Sequence, residues 1–137
     1  MRLAEQLGAT PAETIGRFRS VLTSTTKPPV PTLAMLGETL VHAQDIRLPL
    51  GIRHDYPIET LTRLAEYCQG SDLPVLTKTR IRGLRLVATD GPFNTGSGPA
   101  VSGTTLALTM AMAGRRAYCD ELRGDGSATV RERSQTR

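Results

Sequence analysis

At 137 residues, the chain has room for one ordinary domain or two very small ones. Its apolar fraction is 39%, with no Trp and only three Tyr and two Phe, so a bulky core is excluded. Lys and Arg outnumber Asp and Glu by 17 to 13, and the +4 excess is spread along the chain. It forms no dense basic run interleaved with aromatics, which argues against a nucleic-acid partner while still favouring anionic small molecules.

No apolar stretch approaches the ~20 residues that span a bilayer. Met1 to Gln6 is followed by no apolar signal region, so a cytoplasmic protein with no membrane partner is expected. These first residues read as the end of a helix stopped by Gly8, and an uncapped start of this kind leads us to expect a preceding segment. Thr10-Pro11-Ala12-Glu13 combines a capping hydroxyl, a first-turn proline and a capping-box glutamate. It predicts a helix to about Ser24, with Ile15, Phe18, Val21 and Leu22 on its core face.

Pro28, Pro29 and Pro31 then make a stiff linker. Thr32 is expected to cap a second helix that turns Leu33, Leu36, Leu40 and Val41 inward and ends at Pro49 and Gly51. A third helix is predicted from Pro57 to Gly70, with Ile58, Leu61, Leu64, Ala65 and Cys68 at helical spacing. Ser71 to Pro74 is a turn cluster and the expected domain boundary.

Beyond it the texture alternates. Thr77–Arg82 and Leu84–Thr89 read as strands, with Lys78, Arg80 and Arg82 on a charged strand face. Gly91–Gly98 reads as a turn and Pro99–Ser102 as a short edge strand. Helices follow at Thr104–Ala113 and Arg116–Leu122, stopped by Gly114 and Gly124, and a loose Arg-rich tail closes the chain. Helices first and a small strand-and-helix unit second make the fold class α+β. The expected divisions are a helical region over 1–72, a small α+β domain over 73–126 and a flexible tail over 127–137. Cys68 and Cys119 form no CxxC pair and read as buried, reduced thiols.

The local feature closest to chemistry is Glu38-Thr39-Leu40-Val41-His42. Glu and His four apart share one helical face, so a carboxylate and an imidazole can grip one divalent ion. A solvent-facing pair is the alternative, and chance pairs at this spacing are common. Gln44 and Asp45 lie just beyond, placed to orient His42 or to touch a cofactor; Asp45 could equally pair with Arg47. Arg115 follows Gly114 and could reach a substrate carboxylate, or simply lie solvated at a helix end.

Val41-His42-Ala43-Gln44-Asp45-Ile46-Arg47-Leu48-Pro49-Leu50-Gly51 closely resembles the signature that ends the metal helix of the mycothiol-dependent maleylpyruvate isomerase family. Gly83–Asp90, Gly98–Gly103 and the stretch from Ala113 to Gly126 resemble later patches of that family, in the same order. The resemblance implies a partial DinB-like metal-binding helical bundle followed by a small sterol-carrier-like α+β unit. It implies a divalent metal, most often zinc, and mycothiol as cofactors, with a small electrophilic molecule as substrate. Glu38 and His42 would be two of three metal ligands, Gln44 and Asp45 would stand next to the cofactor, and Arg115 would be catalytic. The family's remaining histidine comes from an earlier, Trp-containing helix. This chain has no Trp, and its other histidine, His54, falls in the loop after Gly51. The expectation is therefore an isomerase or S-transferase relative with an incomplete metal site and possible pairing into a homodimer through exposed helical faces. The alternatives are a non-catalytic remnant and a small-molecule or partner-binding module.

Overall fold

The computed structural model describes residues 7–72 and 77–134. The helix end expected at the first residues lies outside these. The chain forms two compact units, Met1–Val30 and Pro31–Arg137. In the first, helix α1 spans Pro11–Val21. The Thr10 hydroxyl accepts the Glu13 amide at 3.2 Å, and the Glu13 carboxylate accepts the Ala9 amide at 2.7 Å, so the helix start is doubly capped as expected. Its end comes at Val21, short of Ser24. The inward face predicted for Ile15 and Phe18 is not realised, because no residue of α1 is buried. Among the described residues, its unit has no second element to cover that face.

The second unit carries α2 (Thr32–Arg47), α3 (Ile58–Gly70), α4 (Thr77–Arg80), β1 (Arg85–Ala88), β2 (Asn94–Gly96), β3 (Ala100–Gly103), α5 (Thr105–Met112), α6 (Arg116–Cys119) and α7 (Ser127–Arg133). The class is α+β. The expected boundary near Asp72 falls inside this unit, and residues on both sides of it share one core. Pro31, not Thr32, takes the cap position of α2; its ring fixes the backbone where the helix begins, and no side chain bonds the first amides. Helix α3 follows its predicted period, burying Leu61, Leu64 and Ala65. Gly37 lets α2 approach it closely, since a Cβ there would lie 3.3 Å from Leu64 Cδ1.

The first predicted strand is instead the short helix α4. Thr77 turns its hydroxyl to the carbonyls of Cys68 and Ser71. The Asp72 carboxylate takes both the amide and the hydroxyl of Thr79, at 3.0 and 3.1 Å. An acceptor that captures these donors from the preceding turn favours a helical start over a ladder. The Gly91–Gly98 turn contains the missed strand β2, antiparallel to β1 with Leu86 opposite Thr95. Gly96, at φ +81°, ends β2 opposite Arg85; any Cβ there would meet the Leu84 carbonyl oxygen. β3 runs parallel to β1 on its other side, with Leu86 opposite Val101, giving the order β2-β1-β3.

Helix α5 lies at the centre. Seven of its residues, Thr105 and Ala107 to Met112, are buried, and α3, α4, α6, α7 and the strands β1 and β3 pack around it. Thr104 caps it, and Asp90 receives both the amide and the hydroxyl of Thr105, at 2.8 and 2.7 Å. The short α6 ends at Cys119, before the predicted Leu122, and leads into a bridge between Ser102 and Arg123. The expected loose tail is, over Ser127–Arg133, helix α7. Val130 is buried, and Arg133 donates to the carbonyls of Arg80 and Arg82 at 2.9 and 2.8 Å. One apolar residue and one arginine anchor a segment whose composition is otherwise polar.

Leu64 has no solvent exposure and sits where α2, α3 and the central helix meet. Leu64→Ala removes this contact and leaves a cavity, and the expected loss is about 2–5 kcal/mol, read as a lower thermal or urea midpoint. A midpoint unchanged from wild type would show that this junction does not carry the fold.

Candidate functional site

Helix α2 brings Glu38, His42 and Asp45 onto one side. His42 Nε2 lies 3.2 Å from Glu38 Oε2, and His42 Nδ1 lies 3.6 Å from Asp45 Oδ2. The imidazole is thus flanked by a carboxylate at each ring nitrogen. The His42 side chain is 64% exposed and that of Glu38 47%, so the pair stands at the surface.

Beneath it lies a cavity of about 350 Å³ between α2, α3 and α5. Its walls are mostly apolar, from Leu33, Val41, Leu64 and Ala113, while Glu38, His42 and Arg115 supply polar groups. Cys68 also lines it, together with Tyr67 and Thr77. Cys68 is half-buried and Cys119 buried, and both are free thiols. Burial pushes the Cys68 thiol up to about 11. The sequence placed Cys68 on the buried face of α3 but held no signal that this face borders a cavity.

Arg115 closes the arrangement. Its guanidinium makes a two-pronged bond to Asp45, Nε to Oδ1 at 3.0 Å and Nη2 to Oδ2 at 2.7 Å, and Nη1 reaches the Ala113 carbonyl at 3.0 Å. The bond to Arg115, aided by its charge and by His42, holds the Asp45 carboxyl below its ordinary value despite partial burial. The same bond raises Arg115, with Glu38 adding through its charge. Asp45 therefore pairs with Arg115 rather than with Arg47, and ties α2 to the turn between α5 and α6.

Gln44 goes elsewhere. Two residues beyond His42, it leaves α2 about 200° away. Its amide nitrogen donates to Tyr56 Oη at 2.9 Å, and its oxygen accepts from Tyr118 Oη at 3.2 Å. The second bond links residues 74 apart, so nothing local in the sequence announced it. His54 is an exposed loop residue, as expected, edge-on to Tyr56 with ring centroids 4.5 Å apart. Of the predicted site residues, Glu38, His42, Asp45 and Arg115 are together, and Gln44 is apart.

Among the described residues, no three His, Cys, Asp or Glu side chains gather as a metal-holding group. Glu38 and His42 offer two donors, and Asp45 is engaged by Arg115. This set falls short of the three protein ligands that a catalytic zinc takes. No helix among the described residues is long and apolar enough to cross a membrane. Comparison with family models, curated proteins and solved structures returns no match for this chain.

Two outcomes follow. Because the Asp45 carboxyl is lowered in the fold, its contribution is complete above the ordinary value of 3.8 and is lost as pH falls through the lowered one. Asp45→Asn should cost about 1 kcal/mol or less at pH 7, the pair being partly exposed, and the gap to wild type should close in acid. Denaturant melts of both proteins across pH 2–7 measure this, and a gap that persists in acid contradicts it. For Cys68, a thiol at about 11 leaves roughly one thiolate in 10⁴ at pH 7. Alkylation of Cys68 in native Cys119→Ser protein should rise about tenfold per pH unit from 7 to 10. A plateau already at pH 8 would contradict this.

Proposed function

We propose that the chain is a protein of the mycothiol-dependent maleylpyruvate isomerase type whose Glu38–His42 cavity takes a small electrophilic molecule beside a thiol. The observation that carries this reading is the imidazole of His42, set between Glu38 and Asp45 at an otherwise apolar cavity. On this reading α2 and α3 belong to a DinB-like bundle, the segment from α4 onward to a sterol-carrier-like unit, and the protein works in the cytoplasm.

The apolar walls take the body of the ligand and keep water from it. His42 is positioned to accept the proton of a thiol at the mouth. Asp45, held by Arg115, fixes the ring from its Nδ1 side. The family's metal would add thiol ionisation without a base, but the two donors here do not make that centre.

A second reading, a binding module without turnover, is favoured by the Arg115–Asp45 pair. Asp45 already occupies the guanidinium fork that a substrate carboxylate would need.

Calorimetric titration with zinc is expected to show binding weaker than about 1 μM, since only two protein donors are available. Stoichiometric tighter binding that disappears in Glu38→Ala would reveal a third ligand. Mycothiol should shift the His42 ring resonances saturably, and His42→Ala should weaken its binding about tenfold, or 1.4 kcal/mol. An undisturbed His42 at saturation removes the proposal. Mycothiol-dependent turnover with an electrophilic substrate then separates the two readings: rates above background exclude the binding module.

A further inference from the structure

Apart from the imidazole of His42, Arg115 is the one cationic side chain among the described residues that line the first cavity. Its guanidinium is already committed. Of its five N–H groups, two go to the Asp45 carboxylate and one to the Ala113 carbonyl. The two-pronged bond to Asp45 answers the charge of the guanidinium as well as its shape. A carboxylate ligand drawn to Arg115 would find Asp45 already in place and Glu38 at the same mouth. His42 likewise faces carboxylates, with Glu38 at one ring nitrogen and Asp45 near the other.

The inner wall offers an anion nothing better. Thr77 gives its hydroxyl hydrogen to the carbonyls of Cys68 and Ser71, and Thr109 gives its own to the Thr105 carbonyl. Tyr67 adds a phenol, and a single neutral donor does not offset the desolvation of a carboxylate. The remaining walls, from Leu33, Val41, Leu64 and Ala113, are apolar. An amide, ketone or ester of the same shape loses far less on entering such a place.

We propose that this cavity selects uncharged molecules over carboxylates, and that Asp45 sets the selection by holding Arg115. The inference rests on the reading of this cavity as the ligand site, and it narrows the electrophile to an uncharged one, such as an enone, an ester or an epoxide. Asp45 is a positioning residue here: it acts on the ligand through Arg115. Asp45→Asn keeps the shape of the side chain and removes its charge. It leaves on the cavity wall a guanidinium without its counter-ion, and the cavity then accepts carboxylates.

The test uses the whole chain and two unreactive probes of one shape, phenylacetamide and phenylacetate. Backbone amide NMR titrations are run at pH 8, where an ordinary imidazole is neutral. Phenylacetamide is expected to give saturable shifts at Val41, Leu64 and Ala113. Phenylacetate should bind at least about tenfold more weakly, the size expected for an unanswered charge beside Glu38 and Asp45. In Asp45→Asn, phenylacetate should tighten about tenfold while phenylacetamide changes less than about threefold. A merely structural role for Asp45 would move both probes alike, and that outcome overturns the assignment. The comparison of the two probes on the wild-type chain needs no variant, so it stands even if Asp45→Asn unfolds. Phenylacetate binding as tightly as the amide at the same residues overturns the inference and leaves the ligand site intact. Saturation by neither probe, or shifts centred away from this cavity, removes the ligand site and the inference together.

Discussion

The second unit depends on the burial of α5. A helix with seven of its eight residues buried must satisfy most of its polar atoms without water. Two threonines pose that problem here: Asp90, fifteen residues earlier, takes the amide and hydroxyl of Thr105, and Thr109 returns its hydroxyl to the Thr105 carbonyl at 2.8 Å. With these met, Leu108, Met110 and Met112 can present apolar surface in all directions. The strands, α3 and the short helices near the end of the chain are placed by what they cover on α5.

Helix α2 stands outside that inner shell and has two working sides. One bears Glu38, His42 and Asp45 at the first cavity, and the other sends Gln44 and Arg47 toward Tyr56. The helix buries only Leu40, Val41 and Gln44, so its position rests on polar bonds at both sides as much as on apolar contact. The Asp45–Arg115 pair sets one side, and the Tyr56–Gln44–Tyr118 chain sets the other. A residue that seems spare in sequence, such as Gln44, therefore determines which way the helix faces.

Much of this was legible in the residues. The start of α1 was written in Thr10 and Glu13, the buried face of α3 in its apolar period, and the Glu38–His42 pairing in a four-residue spacing. What was not legible came from contacts across the chain. Thr77 to Arg82 alternates like a strand, yet Asp72 and the Cys68 carbonyl capture its donors. The final segment reads as polar tail, yet Val130 finds a buried place. Asp45 had an arginine two residues away and pairs with one seventy residues away, while Arg47 turns to Tyr56. Composition and periodicity report on neighbours in sequence and are silent on such partners.

That distant pairing bears on how the second unit is joined together. Bringing together groups seventy residues apart closes a long loop, and the entropy lost in doing so is returned only when both ends are already shaped. Arg115 gains its shape from the turn that follows α5, where its amide is held by the Met110 carbonyl at 2.9 Å. Asp45 and Arg115 meet only where α2 and that turn are both in place, so the pair joins the early and late parts of the second unit's sequence in one closed loop.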